Sequence, residues 1–405
     1  MVADVHPTRG PMPTGIWLKF LRGVHDQEPG RDPDSMRKRH TIAAAGLAVA
    51  ALLLSACGDD SNDSGSGSGG GDNASGGKVG VILPETSTSP RWEANDRPLL
   101  KAAFDAAGLQ SDIQNAAGDK AKFGTICDSM INGGVKVLLI TNVDSDSGTA
   151  CLKKAQTAGI KTIDYDRLTL GGGASYYVSF DNVQVGKLMG EGLQKCLTDA
   201  GKTSANIVFI NGAPTDNNAA LFKQGYAEAL KPAIDSGKFK LVGDQTGEWD
   251  ATKAGTAFEQ LYTQNGGKID GVVSANDTMA GGIIARLKSN NLNGKVPVTG
   301  QDASVAGLQA ILAGDQCMTV YKAIKKEADA ASKLAIALIK GQDAASIATG
   351  KVTDTVLKTD VPSVLETPVS ITKENVKDVI TDGYQKAADI CTGTYAAACT
   401  AAGIS

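Results

Sequence analysis

From Lys78 onward, short apolar runs alternate with amphipathic stretches of helical spacing. "KVGVILP" predicts a strand, 92–108 a helix, "SDIQNA" a strand, 119–132 a helix, "VKVLLIT" a strand, 147–158 a helix and "IKTIDYD" a strand. After "YYVSF" the alternation restarts with helix 182–197, strand "ANIVFI", helix 218–235, strand "FKLVGD", helix 251–265, strand "DGVVSA", helix 278–290, strand "KVPVTG" and helix 304–313. Strands that alternate with helices of this length imply an α/β chain whose parallel sheets are covered on both faces. Roughly 240 residues of this pattern exceed one typical core, so two doubly wound lobes are expected.

Two segments echo each other. "VKVLLITNVDSDSGTACLKKAQTAGIKTIDYDR" and "IDGVVSANDTMAGGIIARLKSNNLNGKVPVTGQD" both read as buried strand, Asn at its carboxyl end, helix, Gly, buried strand, and Asp at its end. Asn142 to Asp166 spans 24 residues and Asn276 to Asp302 spans 26. Generic βαβ grammar would give much the same plan. The echo matters for position, because ligands of open parallel sheets bind outside the carboxyl ends of the strands.

Upstream the pattern changes character. Ile42 to Ala56 runs 15 residues without a charge, short of the roughly 20 that a spanning helix needs. "MRKRH" precedes it and Leu54-Ser55-Ala56-Cys57 closes it, the charged, apolar and small-residue parts of a secretory signal. The Leu-Ser-Ala-Cys ending resembles the bacterial lipobox, which implies cleavage before Cys57 and acylation of its thiol. Residues 36–56 are therefore expected to be a lipoprotein signal, with Met36 as the true start and 1–35 as a mis-assigned extension. Residues 57–77 form the anchored leash; the twenty polar residues 58–77 are too poor in apolar surface to fold. Such a Gly-rich tether reaches on the order of 25 Å.

Removing residues 1–56 sharpens the composition. All three histidines (His6, His25, His40) go with them, and with them histidine bases and histidine-ligated metals. Seven of 40 basic and five of 44 acidic residues also lie there, leaving 33 against 39 and a net charge of −6. That balance gives no reason to expect a nucleic-acid partner.

"SPRWEAND", "IKTIDYDRL", "YYVSFDNVQVG", "NGAPTDNNAALFKQGY", "LKPAIDSGKFKLVGDQ", "SANDTMAGG", "VTGQDA" and "MTVYK", in this order from about Lys78 to about Gly383, resemble the xylose-binding family among the type I periplasmic sugar-binding proteins of ABC importers. The resemblance implies two lobes that close over one monosaccharide, joined by three chain crossings near Asp181, Tyr321 and residue 360. The first lobe would comprise 78–181 plus 323–360 and the second 182–321 plus 361–390, with 391–405 as a C-terminal tail. It also implies a monomer without cofactor or enzymatic activity, outside the cytoplasm, whose partners are the sugar and the importer's permease subunits; the lipobox resemblance adds the membrane, through the lipid on Cys57.

The residues at these positions suit a sugar. A pyranose offers hydroxyls that both donate and accept, and faces of C–H bonds. Charged and amide groups hold the first and aromatic rings cover the second. Arg91, Asp166, Arg167, Asn217, Asn218, Asn276, Asp302 and Lys322 are the polar candidates, and Trp92 and Trp249 the rings. Plainer readings compete: a surface ion pair at Asp166 and Arg167, a helix-face core position for Trp92, a helix cap at Asn217 or Asn218, and a structural role for Lys322. "GDQTGEWDA" is shorter than the equivalent loop of the family, which leaves the choice of sugar open.

Six cysteines remain after Cys57, an even number in an exported chain, which argues for disulfides. Cys127 and Cys151 lie on neighbouring predicted helices, Cys391 and Cys399 can close a small loop, and Cys196 and Cys317 would pair by default. Without histidine or a close Cys-x-x-Cys pair, no zinc site is expected. Three rivals remain. A sugar-responsive repressor would need an N-terminal helix-turn-helix. A glycosidase would need two suitable carboxylates, and Arg167 beside Asp166 is expected to hold that carboxylate ionised even if Asp164 faces the same way. A sugar sensor presenting its loaded form to a membrane receptor would look the same in sequence.

Overall fold

The computed structural model describes residues 77–404. Cys57, the signal and all of the leash except Gly77 lie outside the described residues. Seven strands form the first sheet: β1 (Lys78–Leu83), β2 (Gln110–Asn115), β3 (Val137–Ile140), β4 (Lys161–Tyr165), β5 (Tyr176–Phe180), and, far along the chain, β10 (Gly350–Asp354) and β11 (Thr359–Glu366). Their order is β10-β11-β5-β4-β3-β1-β2, parallel throughout except at the β10–β11 hairpin. Val79, Val81 and Leu83 of β1 enter one core with Leu100 and Phe104, while Ile82 enters another with Phe123 and Leu152. Alternate side chains thus meet helices on opposite faces, as a doubly wound sheet requires.

The second sheet holds β6 (Ala205–Asn211), β7 (Phe239–Thr246) and β8 (Gly271–Ser274) in the order β7-β6-β8, all parallel. Ile207 and Phe209 face one core and Val208 and Ile210 the other. The predicted strand "KVPVTG" reduces to a single bridge from Val298 to Val272. Pro297 explains this, since it has no N–H to give a ladder. A second bridge, Gln301 to Val320, leads to β9 (Thr319–Tyr321), which pairs antiparallel with β12 (Val369–Ile371).

The helices covering the first sheet are α1 (Arg97–Ala106), α2 (Lys120–Asn132), α3 (Ser145–Thr157) and α9 (Ile324–Ile339). Those of the second are α4 (Asn182–Asp199), α5 (Asn217–Asp235), α6 (Ala251–Gln264), α7 (Asp277–Ser289) and α8 (Val305–Ala313). The chain crosses between lobes at Asp181, between Tyr321 and Ile324, and at 367–368. The third crossing falls beyond residue 360 because β11 stays paired with β5 as far as Glu366. Residues 391–404 are not a loose tail. Ile390, Cys399 and Ile404 are buried with Leu308 and Ile311 of α8.

Three disulfides close within the described residues: Cys127–Cys151, Cys196–Cys317 and Cys391–Cys399, with Cα separations of 5.9, 6.5 and 5.7 Å. All three lie in the range that a disulfide spans.

Candidate functional site

A cavity lies between the lobes. Its wall is built from residues just past the carboxyl ends of strands. Thr88, Ser89, Arg91 and Trp92 follow β1, Asp166 and Arg167 follow β4, and Trp249 follows β7. Asn276 follows β8, Gln301 and Asp302 follow the bridged Val298 segment, and Lys322 follows β9. Asp216, Asn218 and Phe222 complete it from the start of α5.

Local structure explains the placement. Glu85 accepts the backbone N–H groups of Ser87, Thr88 and Ser89 at 2.7, 2.7 and 3.1 Å, and the indole N–H of Trp92 at 2.9 Å, folding the loop after β1 into the cavity. The expected helix 92–108 begins instead with a wide π-turn, Trp92–Asp96. Such a turn sets residue i beside i+5, and Arg91 duly donates to both oxygens of Asp96, Nε to Oδ2 at 3.0 Å and Nη2 to Oδ1 at 2.7 Å. In the second lobe Trp249 stands on two consecutive left-handed residues, Glu248 (φ 51°) and itself (φ 62°). Gly212 is required beneath its ring, where an added Cβ would come within 2.0 Å.

Arg91 is the most committed side chain of the site. Beyond Asp96, its Nη1 donates to Asp166 at 2.8 Å and its Nη2 to Glu327 at 2.7 Å. Burial opposes its charge, but Asp96, Asp166 and Glu327 more than offset that and hold it firmly protonated. Asp166 shows the converse. Burial would raise its pKa, yet Lys322, Arg91 and Arg167 hold it well below the usual carboxylate range. It is thus unfit as a general acid, and Asp164, the other member of the pair read from the sequence, is fully buried against Thr169 and does not line the cavity, so that pair cannot flank a ligand. Asp302 is pushed up by burial, with Lys322 opposing, and no hydrogen bond engages its side chain among the described residues. Lys322 lies between these two, 3.6 Å from Asp166 and 3.7 Å from Asp302.

Several contacts join the lobes directly. Asn218 Nδ2 donates to the side chain and carbonyl of Asp166 at 3.1 and 3.0 Å, Arg167 Nε lies 3.0 Å from Asp216, and Thr278 Oγ1 donates to the carbonyl of Thr88 at 3.2 Å. The conformation is closed.

Nine of the ten sequence-proposed residues line this cavity: Arg91, Trp92, Asp166, Arg167, Asn218, Trp249, Asn276, Asp302 and Lys322. Asn217 does not. It is the first residue of α5, turned from the wall, and the cap of that helix is Asp216, which accepts from Asn218 N at 2.9 Å. Asn276 is at once wall and cap, accepting from Met279 N with Oδ1. Trp92 is likewise both core and wall. Sequence reading missed Thr88, Ser89, Asp216, Phe222 and Gln301. It also missed Glu327, which reaches Arg91 across 236 residues of chain from the first turn of α9. Among the described residues no group of three His, Cys, Asp or Glu is placed to hold a metal ion.

Comparison with known proteins agrees with this geometry. Residues 79–343 match the family model described as periplasmic binding protein domain. The D-xylose-binding periplasmic protein of Escherichia coli K12 is 37% identical over 318 residues, covering 77% of this chain and 92% of that protein. The multiple sugar-binding periplasmic receptor of Rhizobium radiobacter is 35% identical, covering 77% and 91%. The crystal structure of a carbohydrate transporter solute binding protein from Chloroflexus aurantiacus in complex with D-glucose superposes with a TM-score of 0.70 at 31% identity, covering 77% of this chain and 97% of that one.

Proposed function

This chain belongs to the periplasmic binding protein domain family, and we propose that it is the extracytoplasmic sugar-binding component of an ABC importer, capturing a neutral monosaccharide of the xylose and glucose type. The observation that carries this reading is the charge balance of the wall. Its cations, Arg91, Arg167 and Lys322, each lie beside a wall carboxylate, Asp166, Asp216 or Asp302. No cation of the wall is left unpaired for an anionic ligand. What remains are charge-assisted donors and acceptors for hydroxyls and indoles from both lobes for C–H faces. The D-xylose and D-glucose of the relatives' names support the choice of aldopyranoses.

A sugar held by both lobes favours the closed state through contacts that neither lobe makes alone, and the closed form is what the permease would recognise. Thermal unfolding against a panel of monosaccharides tests the reading. A ligand at a hundred times its Kd adds roughly 2.7 kcal/mol of stability, and a panel with no shift for xylose, glucose, arabinose or galactose refutes it. Anchoring is part of the same proposal. In a bacterium that processes lipoproteins the chain should partition with membranes through an acylated Cys57, and Cys57→Ser should release it. Recovery of unmodified chain that retains residues 41–56 would sink the anchor and leave sugar binding intact.

A further inference from the structure

Six buried side-chain polar atoms lack a hydrogen-bond partner among the described residues, and three of them belong to the cavity wall: Arg167 Nε, Trp249 Nε1 and Gln301 Oε1. Arg167 Nε has Asp216 at 3.0 Å to offset it. Trp249 is assigned to stacking in the sugar-binding reading above, from its place in the wall. Gln301 differs from every other amide of the site. Asn218 donates to Asp166 and accepts from Asn182, and Asn276 caps α7. The Gln301 side chain makes no hydrogen bond to the described residues, although it is only 3% exposed.

Its position is fixed from both sides. The Gln301 carbonyl accepts from Asp277 N at 3.0 Å, its neighbour Gly300 accepts from Val320 N at 3.1 Å, and Asp302 N donates to Val320 O at 2.9 Å. A buried amide left unmatched costs about 1–3 kcal/mol, and that cost is borne on rigid backbone, next to the one wall carboxylate with no hydrogen bond of its own. A group that both donates and accepts would satisfy either face of this amide, and a hydroxyl is such a group.

Building on the sugar-binding reading above, we propose that Gln301 is a specificity-determining residue whose amide reads the ligand hydroxyl adjacent to the one held by Asp302. Its pairing with that hydroxyl selects among monosaccharides that differ in the presence or orientation of a single group. Sites built to hydrogen-bond a hydroxyl reject analogues that lack it, because the buried partner is then left alone.

The test uses the intact exported protein, D-xylose and D-glucose, and the monodeoxy analogues of whichever binds more tightly, measured by calorimetry on wild type and Gln301→Met. The variant should lose about 2- to 12-fold in affinity for the parent sugar, the span of one ordinary hydrogen bond. Against one monodeoxy analogue, and only that one, variant and wild type should bind alike. Equal losses across every analogue, or an unchanged affinity for the parent, overturn the assignment. Unfolding without sugar separates reading from scaffolding. An amide with no protein partner can be replaced without lowering the midpoint, so a Gln301→Met protein that unfolds earlier or fails to fold assigns the amide to the fold and overturns the proposal. Absence of any sugar binding by wild type would overturn the sugar reading itself, whereas binding with an indifferent variant overturns this inference alone.

Discussion

Asp166 and Asp302 hold their backbones at φ 64° and 102°, where residues other than glycine seldom sit. Each donates its N–H to the strand beside it, Asp166 to Val178 O at 2.8 Å and Asp302 to Val320 O at 2.9 Å. Local strain of this kind costs about 1–3 kcal/mol and persists where the surroundings impose it. Their electrostatics differ: against burial, Lys322, Arg91 and Arg167 hold Asp166 down, whereas burial pushes Asp302 up and no hydrogen bond among the described residues engages its side chain. Asp302→Asn retains a residue that tolerates positive φ but removes the charge. Affinity should fall on the order of 10- to 150-fold, the worth of a hydrogen bond to a charged group, with the unliganded melting temperature nearly unchanged. An undiminished affinity would remove Asp302 from the site. Asp164 makes a different prediction. Burial pushes it up to about 7, against the hydrogen bonds of Thr169 N and Oγ1. A carboxyl whose pKa is higher in the folded chain stabilises the fold while it keeps its proton, and that contribution is lost as pH rises through about 7. The unliganded protein should therefore melt at lower temperature at pH 8 than at pH 5. Asp164→Asn should flatten the dependence in part, leaving what is due to the other carboxyls that burial raises, Asp277 and Glu327 among them. An identical slope in the variant would show that Asp164 titrates in its ordinary range.

Between elements, α4 and α5 approach each other closely. A Cβ on Gly186 would lie 2.1 Å from Phe222 O, and one on Gly225 would lie 2.1 Å from Val183 O, so the two backbones touch. This contact fixes more than the core. The N-terminus of α5 carries Asp216 and Asn218, and Asn182 at the start of α4 donates to Asn218 at 3.0 Å. Gly225→Ala must part the helices, a form of overpacking that costs about 1–3 kcal/mol. Melting temperature and sugar affinity should fall together, and a variant that melts like wild type would show that the pair separates freely. The sequence made most of this scale legible. Buried strands such as Val137–Ile140 declare themselves by unbroken apolar runs, and strand ends located Asn276 and Asp302. Three features stayed hidden for physical reasons. The π-turn at Trp92–Asp96 follows from Arg91 and Asp96 pairing five residues apart, which no helical period reveals. β11 alternates exposed and buried positions around Pro362 and pairs with a strand nearly two hundred residues earlier, so its apolar signal is weak. Gln301 and Glu327 carry no local pattern, because what singles them out is a partner missing in one case and distant in the other.

Across the whole molecule, each disulfide stays inside one lobe. Cys127–Cys151 lies in the first, and Cys196–Cys317 and Cys391–Cys399 lie in the second. Among the described residues no covalent bond other than the three chain crossings ties the lobes, so the direct contacts Asn218–Asp166, Arg167–Asp216 and Thr278–Thr88 can part without chemistry. The bridges differ in the chain they enclose, with sequence separations of 24, 121 and 8. On the loop-entropy account they contribute about 3.5, 5 and 2.5 kcal/mol respectively. Double Cys→Ser variants should lose stability in that order, with Cys196–Cys317 the costliest in denaturant titrations. A variant lacking that bridge that is as stable as one lacking Cys391–Cys399 would contradict it.

Trp92 and Trp249 are the only indoles beyond residue 17, and both stand in the cavity wall, one from each lobe. In a chain prepared without residues 1–56, all tryptophan emission therefore originates in the cavity wall. An unlabelled sample carries its own optical reporter. Saturating sugar should change the intensity or wavelength of that emission, and Trp249→Phe and Trp92→Phe should each report the ligand from one lobe only. A spectrum that stays the same while calorimetry records binding would mean that neither ring meets the sugar.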